Sequence, residues 1–189
     1  MKETSHLHCA KNCYQLQAYY IAEIGINHHG DVEKAIKLIK KAHETGAQSV
    51  KFQPMVPELL YSPYSTSLLN NRAPQKDMSI INFFKKLSLP KEAYKDLKLE
   101  SDKLGITFFS SVFDIPSLEL LEDINVPQYK LASSEITNHR LIQAVAETKK
   151  PVIISTGIST EKEIAMALEL FHKYSDAYSA LLHCVSLYP

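Results

Sequence analysis

The sequence predicts an α/β fold built on a parallel β-sheet. Short apolar runs rich in Val, Ile, Phe, Tyr and Leu alternate along the chain with amphipathic helical patterns, which is typical of repeated strand–helix units. Polar side chains follow these apolar runs, at the carboxyl ends of strands where α/β proteins build their active sites. We therefore expect an enzyme whose site lies at one edge of the sheet.

Six segments have the length and composition of short buried strands. They are residues 19–25, 48–53, 106–111, 128–133, 151–155 and 179–185. The chain has 189 residues, whereas an eight-stranded barrel typically needs about 250. The pattern therefore leaves two architectures open, an open sheet or a barrel cut short after about six strands.

Helix boundaries are marked by residues that suit helix ends. Asp31 can cap the first helix, and Thr160-Glu-Lys-Glu163 has the spacing of a capping box. Further helices are expected from Pro90, after Asp114 and near Asn138. These positions place one helix between each pair of successive strands, as a parallel sheet requires.

The insert at residues 54–87 differs from the other connections. It contains four prolines and little periodicity. So long a connection is more often functional than idle, and we interpret it as a lid.

Charge and composition limit the classes of partner. Lys plus Arg and Asp plus Glu each number 21, so charge gives no case for nucleic acid or an anionic membrane. No apolar run approaches the roughly 20 residues that span a bilayer, and the N-terminus lacks the apolar core of a signal peptide. The sparse cysteines, Cys9, Cys13 and Cys184, suit a reducing compartment. We expect a cytoplasmic enzyme that acts on small molecules.

Residues 1–18 are interpreted as a leader that precedes the folded domain. Four side chains in it are of types that bind zinc: His6, His8, Cys9 and Cys13. Their spacing matches no standard pair of zinc ligands and no second pair follows. We therefore do not interpret the leader as a metal site.

Five polar clusters lie at the ends of the predicted strands. They are Glu23 with Asn27 and His28; Lys51 with Gln53; Ser110 with Ser111; Lys130 with Ser133 and Glu135; and His183 with Ser186 and Tyr188. Two lysines and several hydroxyls that face one mouth suit a phosphate or carboxylate anion. One lysine alone would more often only reach into solvent, but two at equivalent strand ends favour binding.

Three further features leave alternatives open. Glu23 ends an apolar strand, so it is either a functional carboxylate or half of a structural ion pair. The sequence Ser155-Thr156-Gly157 either binds an anion or turns the chain. Cys184 follows His183, but neighbouring strand residues point to opposite faces, so Cys184 is interpreted as a core residue.

The chain resembles the sialic acid synthase family, which includes N-acetylneuraminate synthases and their legionaminate and pseudaminate relatives. The resemblance rests on six motifs: Ala22-Glu-Ile-Gly-Ile-Asn-His-His-Gly30, Val50-Lys-Phe-Gln53, Phe109-Ser-Ser-Val-Phe-Asp114, Tyr129-Lys-Leu-Ala-Ser-Ser-Glu135, Pro151-Val-Ile-Ile-Ser-Thr-Gly157 and Leu182-His-Cys-Val-Ser-Leu-Tyr-Pro189. They cover nearly all of the chain from residue 20 onward, in the family's order and approximate spacing.

The resemblance implies a TIM-type (β/α)8 barrel, of which residues 19–189 would form the part up to the sixth strand. The later strands and an antifreeze-like C-terminal domain would be absent. The implied reaction condenses phosphoenolpyruvate with an N-acetylated aldose, such as N-acetylmannosamine, into a nine-carbon 2-keto acid and releases phosphate. The implied divalent metal ion, Mn²⁺ or Mg²⁺, would be held by two histidines beyond Pro189. We expect the full-length protein to be a homodimer and this chain alone to be inactive.

The resemblance also assigns roles to individual residues. Phosphoenolpyruvate binding falls to Lys51, Ser110, Lys130, Ser133 and Ser186, and sugar contacts fall to Gln53 and Tyr188. Glu23 and Glu135 would be the catalytic carboxylates near the reacting carbons. Ser134 stands where the family usually has Gly, and Ser186 where some members have Asn.

Two alternatives remain. One is another barrel enzyme that condenses phosphoenolpyruvate with a phosphorylated aldose, which should supply a second set of basic residues. The 54–87 insert offers only scattered ones: Arg72, Lys76, Lys85 and Lys86. The other is a non-catalytic remnant that still binds an anion, or a subunit completed by a separate polypeptide.

Overall fold

The computed structural model describes residues 18–70 and 79–187, and most of the predicted leader lies outside this part of the chain. Its centre is one six-stranded sheet in which each strand is parallel to its neighbour. The strands are β1 (Ile21–Gly25), β2 (Ser49–Phe52), β3 (Thr107–Val112), β4 (Tyr129–Leu131), β5 (Val152–Ser155) and β6 (Ser179–Leu182). All six overlap the predicted segments, so the predicted parallel α/β sheet is confirmed.

The helices of the described residues lie between the strands. They are α1 (Val32–Glu44), α2 (Pro57–Leu60), α3 (Pro63–Asn70), α4 (Ile80–Leu87), α5 (Ala93–Leu104), α6 (Ile115–Asp123), α7 (His139–Glu147) and α8 (Glu161–Tyr174). Five of them, α1 and α5 to α8, were predicted from the sequence. Asp31 accepts a hydrogen bond from the Lys34 N–H, and Thr160 forms the predicted capping box with Glu163. The helix expected from Pro90 begins later, at Ala93, whose N–H donates to the Pro90 carbonyl.

The strand order β1-β2-β3-β4-β5-β6 is the order of the sequence, without reversal. Because parallel crossovers are right-handed, successive crossovers in one direction place their helices on one face of the sheet. The core lies on that face and includes Val50, Phe52, Phe108, Leu131 and Ile154, each 1% exposed or less. Burying one such side chain stabilises the fold by roughly 1.5–3 kcal/mol.

The opposite face carries polar residues, because side chains alternate along each strand. Glu23 pairs in register with Lys51, and Ser111 pairs with Lys130. Directly paired residues of parallel strands point to the same side. The register therefore brings residues from four strands together on the face that the helices leave uncovered.

The insert at 54–87 contains regular structure that its sequence pattern did not indicate. Its described residues form α2, α3 and α4. Pro57 and Pro63 each occupy the first position of a helix, where a missing N–H costs nothing, so these prolines begin helices rather than prevent them. Lys85 of α4 forms a half-exposed ion pair with Glu58 of α2.

Strands β1 and β6 are the edges of the sheet. Ile21 is 37% exposed, and Leu181 and Leu182 of β6 are 44% and 42% exposed. An edge strand with exposed apolar side chains and unpaired backbone groups is a site for further pairing. Within residues 18–70 and 79–187, no helix is both long enough and apolar enough to cross a membrane.

Candidate functional site

A cleft of about 920 Å³ opens at the carboxyl end of the sheet. Six of the predicted site residues line it: Glu23, Lys51, Gln53, Lys130, Ser133 and Ser186. They come from β1, β2 and β4 and from the loops after β2, β4 and β6. Parallel strands place their carboxyl ends at the same edge, which is why residues far apart in sequence meet here.

Lys51 is one of two buried cations among the described residues of the cleft, with 8% of its surface exposed. Its Nζ lies 2.5 Å from Glu23 Oε2 and donates a hydrogen bond of 2.7 Å to Ser111 Oγ. Burial lowers the pKa of Lys51, and the Glu23 carboxylate opposes that shift. Glu23 is the more exposed partner, with 49% of its side chain accessible, so one face of its carboxylate meets the open cleft.

Lys130 is the second buried cation and is also 8% exposed. Its Nζ donates to Ser155 Oγ at 2.5 Å and to the Leu131 carbonyl at 2.7 Å. Burial, and next the positive charge of Lys51, lower the pKa of Lys130 to about 8. Two ammonium groups share the cleft with the carboxylates of Glu23 and Glu163. The Glu163 carboxylate already accepts hydrogen bonds from the Thr160 N–H and hydroxyl, so the two lysines face Glu23 as the nearer negative charge and the arrangement favours a bound anion.

Gly157 brings three loops together at the rim of the cleft. Its N–H donates to Ser133 Oγ at 2.9 Å. A Cβ at Gly157 would lie 2.0 Å from Ser186 Oγ and 3.0 Å from Ser133 Oγ, so no larger residue fits without movement. Ser186 adopts a φ of 51°, a left-handed conformation that is uncommon for serine. The sequence left open whether Ser155-Thr156-Gly157 binds an anion or turns the chain. In the structure Ser155 lines the cleft, and Gly157 lies in close contact with the two neighbouring loops.

Three serines have oxygens that already accept a hydrogen bond. The donors are Lys51 for Ser111, Lys130 for Ser155 and the Gly157 N–H for Ser133. Because a hydroxyl has one proton of its own to donate, each of these hydroxyls can direct that proton toward an acceptor in the cleft. The site can therefore present hydroxyl donors and two ammonium groups to one anion.

Ser110 lies elsewhere. It is fully buried, and its Oγ donates to the Phe52 carbonyl at 2.6 Å. Its neighbour Ser111, on the other face of β3, is the serine that lines the cleft. The sequence could not choose between two adjacent small polar residues, because the choice depends on which face of β3 meets the helices. The binding role assigned to Ser110 remains a prediction that this geometry does not favour.

Glu135 is not among the residues that line the cleft. It lies in a 3₁₀ turn, Ser133–Glu135. Its carboxylate accepts hydrogen bonds of 2.9 Å from Ser134 Oγ and from Asn138 Nδ2. The hydrogen bond from Asn138 joins Glu135 to the start of α7. The catalytic role of Glu135 stays a prediction. Tyr188 lies outside the described residues.

Of the polar cluster Glu23, Asn27 and His28, only one residue reaches the cleft. Glu23 enters the cleft, whereas Asn27 donates its amide to the Ile24 carbonyl. His28 is 1% exposed, stacks on Phe52 with ring centroids 6.0 Å apart, and has no partner for Nε2 among the described residues. Burial lowers the pKa of His28 to about 4, so the ring is neutral at physiological pH. These two residues shape the loop and do not enter the site.

Three residues that line the cleft received no assigned role from the family resemblance: Ser111, Ser155 and Cys184. Ser111 did belong to a strand-end polar cluster, and Ser155 to the stretch left open between anion binding and a turn. The prediction that Cys184 is a core residue is wrong, since it is half-buried and faces the cleft. Strand β6 ends at Leu182 and is an edge strand, so the loop that follows has no further strand beside it to bury the thiol. Ser111 lies near the end of β3 and Ser155 is the last residue of β5, and this position at a strand end was the available signal.

The described residues do not fit a metal site. Within residues 18–70 and 79–187, no group of three or more His, Cys, Asp or Glu side chains could hold a metal ion. The His and Cys residues of the leader fall outside this part of the chain. The divalent ion implied by the sequence resemblance therefore has no ligand set among the described side chains.

Comparison with known proteins gives consistent matches. The NeuB family model matches residues 38–189. The chain is 36% identical over 177 residues to the N,N'-diacetyllegionaminic acid synthase of Campylobacter jejuni, covering 89% of this chain and 52% of that protein. It is 36% identical over 171 residues to the pseudaminic acid synthase of Helicobacter pylori, covering 89% and 50%.

A solved structure agrees with these sequence matches. The crystal structure of N-acetylneuraminic acid (sialic acid) synthetase from Leptospira borgpetersenii, in complex with citrate, matches with a TM-score of 0.77 and 34% identity, covering 90% of this chain and 55% of that one. The chain spans about half the length of the curated relatives it matches.

Proposed function

The chain belongs to the NeuB family, in agreement with the resemblance to sialic acid synthases, and we propose that it takes part in sugar acid synthesis. The proposed reaction condenses phosphoenolpyruvate with an N-acetylated aldose, N-acetylmannosamine or an analogue, to a nine-carbon 2-keto sugar acid and releases phosphate. The observation that carries this proposal is the pair of buried lysines, Lys51 and Lys130, that share one cleft with Glu23 and several hydroxyls.

We further propose that the six strands are the first six of a (β/α)8 barrel. Sequential strand order supports this, because doubly wound sheets reverse their order at a switch point and barrels do not. Two more strand–helix units would pair with the exposed edges of β1 and β6 and cover Leu181 and Leu182. Without them we expect this chain to be inactive, and with them to form a cytoplasmic homodimer.

The proposed role of the lysines is to bind the phosphate and carboxylate of phosphoenolpyruvate. Lys51 and Lys130 supply charge, and Ser111, Ser133 and Ser155 supply hydroxyl donors. Hydrogen bonds to charged groups contribute roughly 1.5–3 kcal/mol each. Burial, and next the repulsion from Lys51, lower the pKa of Lys130, and a multiply charged anion would offset both effects.

Glu23 is the proposed catalytic carboxylate. When C3 of phosphoenolpyruvate attacks the aldehyde carbon, the new C–C bond leaves positive charge at C2. A carboxylate beside that carbon stabilises the charge and can orient the water that adds to C2, after which the C2–O bond breaks and phosphate leaves. Glu23 is held by Lys51 yet half-open to the cleft, which suits both tasks.

Gln53, on the same rim, is the proposed sugar contact together with Tyr188. For the complete enzyme we also propose a divalent metal ion, Mn²⁺ or Mg²⁺. No step is assigned to it here, because the described residues offer no ligand set. The proposed tasks of the described side chains are to bind and orient phosphoenolpyruvate and, for Glu23, to stabilise the charge at C2.

A calorimetric titration of the chain with phosphoenolpyruvate tests the proposal. We expect saturable binding by the wild type and at least tenfold weaker binding by Lys130→Ala, since one ammonium of the cleft is lost. Lys98→Ala is the matched control, because Lys98 pairs with Asp102 on the surface of α5, away from the cleft. Absence of binding by the wild type, or equal binding by both variants, would overturn the assignment.

A further inference from the structure

Asp114 connects two loops at the carboxyl end of the sheet. It follows β3 and caps α6, where its Oδ1 accepts the Ser117 N–H at 2.7 Å. Its Oδ2 accepts the Val56 N–H at 2.8 Å. Asp114 is 7% exposed, so its bond to the Ser117 N–H is buried, and its bond to the Val56 N–H is partly buried. The sequence predicted a helix after Asp114, but neither the cap nor the bond to the chain that leaves β2.

The bond to Val56 constrains Gln53. Only Pro54 and Met55 separate the two residues. Pro54 has a fixed φ and restricts Gln53 to extended backbone, so this link has little freedom. A Cβ at Gly25 would lie 3.5 Å from Gln53 Oε1 and 3.0 Å from Glu23 Oε1, which places both side chains against Gly25. Fixing Val56 therefore restricts the backbone of Gln53, whose amide oxygen lies beside Gly25 together with the Glu23 carboxylate.

The far end of the 54–87 insert is also held. A Cβ at Gly30 would lie 2.6 Å from the Lys86 carbonyl oxygen and 3.3 Å from that of Ser88, so the β1–α1 loop packs directly on the backbone there. The insert is thus attached to the loop after β1 at one end and to the loop after β3 at the other. Gln53 is carried on an anchored segment.

We propose that Asp114 is a positioning residue that holds Gln53 at the rim of the cleft for the acceptor sugar. This inference rests on the proposed function, in which Gln53 contacts the sugar. The carboxylate is required because it presents two acceptor oxygens to two N–H donors. An asparagine retains one acceptor for the Ser117 N–H and turns its own NH₂ donors toward the Val56 N–H.

Asp114→Asn therefore separates the two roles, since asparagine caps helices as well as aspartate does. Asp31→Asn is the matched control, because Asp31 caps α1 by accepting the Lys34 N–H at 2.9 Å. In Asp114→Asn we expect hydrogen exchange at the Val56 amide to become at least tenfold faster and the side-chain amide NMR signals of Gln53 to shift. In Asp31→Asn neither should change.

A second variant protects the test against a folding defect. Val56→Pro removes the donor N–H and leaves the α6 cap intact, so the Gln53 signals should shift as they do in Asp114→Asn. Unchanged Val56 exchange in Asp114→Asn, unchanged Gln53 signals in both variants, or the same changes in Asp31→Asn would overturn the positioning role.

Binding measurements separate this inference from the proposed function. Asp114→Asn should bind phosphoenolpyruvate as the wild type does, while N-acetylmannosamine binds its phosphoenolpyruvate complex about tenfold more weakly. A wild type that binds no phosphoenolpyruvate contradicts the proposed function. In that case the hydrogen-exchange and NMR results still decide whether Asp114 positions Gln53 through Val56. A wild type that binds phosphoenolpyruvate but no sugar overturns the acceptor role of Gln53.

Discussion

Glu23 and Lys51 lie opposite each other on β1 and β2, with Lys51 Nζ 2.5 Å from Glu23 Oε2. Lys51 is nearly buried, whereas Glu23 is half-exposed. The lysine is therefore the partner that depends on the pair, because an unpaired buried ammonium is costly. The carboxylate has a free face toward the cleft, so one ion pair holds both a binding group and a proposed catalytic group in place.

Glu23→Gln tests which of these roles dominates. The variant retains shape and removes the charge. We expect a stability loss of about 1–2 kcal/mol, less than for a fully buried pair because Glu23 is half-exposed. Phosphoenolpyruvate binding should be unchanged or tighter, since a negative charge beside the anion is gone, while condensation by a full-length form should be lost.

Thermal melts, titrations and phosphate release measure these three effects. Normal activity with a large stability loss would show that Glu23 is only half of a structural ion pair. Normal activity with normal stability would remove both roles.

The lowered pKa of Lys130 predicts how phosphoenolpyruvate binding depends on pH. Its pKa of about 8 lies below the ordinary lysine value because of burial and of Lys51. A bound anion favours the ammonium form, so binding should take up protons near pH 8 and affinity should fall as pH rises through about 8. Calorimetry in two buffers of different ionisation enthalpy measures the proton uptake. Lys130→Met should abolish it, and uptake that persists in Lys130→Met contradicts the assignment.

The same shift affects stability in a defined direction. The folded pKa of Lys130 is lowered, so between about pH 8 and its ordinary value of 10.5 the folded state binds fewer protons than the unfolded state. The contribution of Lys130 to the free energy of unfolding therefore rises as pH rises across that window. The difference between wild type and Lys130→Met in chemical denaturation at pH 7.5 and 9.5 isolates it.

Ser111→Ala should weaken phosphoenolpyruvate binding, whereas Ser110→Ala should reduce the stability of the fold. Ser111 contacts Lys51 in the cleft, so its loss should weaken phosphoenolpyruvate binding by about 0.5–1.5 kcal/mol. Ser110 bonds the buried Phe52 carbonyl, so its loss should reduce stability by about 1 kcal/mol and leave affinity unchanged. Paired titrations and melts decide, and weaker binding in Ser110→Ala alone would restore the role first assigned to Ser110.

Gly157→Ala should disrupt the rim, because the added Cβ would lie 2.0 Å from Ser186 Oγ. We expect a stability loss of about 1–3 kcal/mol and weaker anion binding. Ser186→Gly in the same chain should restore part of the stability, since it removes the clashing hydroxyl and glycine tolerates the φ of 51°. A double variant whose losses simply add would show that the two loops are not in contact.

Local signals predicted much of the fold. Apolar runs located all six strands, Asp31 and Thr160 cap the helices they were expected to cap, and the helix expected after Asp114 is present with Asp114 as its cap. These features depend on neighbours in sequence. The helices of the 54–87 insert were missed because prolines interrupt the pattern, although Pro57 and Pro63 begin helices.

The site was predictable in part. Lys51 and Lys130 were placed correctly at one mouth because strand ends converge in any parallel sheet. Which of Ser110 and Ser111 enters the cleft, and whether Cys184 is buried, depend on the face of a strand and on its position in the sheet. Those are tertiary properties that no single segment of the sequence contains.

The sequential strand order has a consequence for how the chain folds. Each strand pairs with the one that precedes it in sequence, so most pairings close a short loop at small entropic cost. A strand that leaves the ribosome would find its partner already synthesised, and we expect the sheet to grow in the direction of translation. The exception is β2 with β3, which are separated by α2 to α5. That closure should be the slow step, because distant contacts form late.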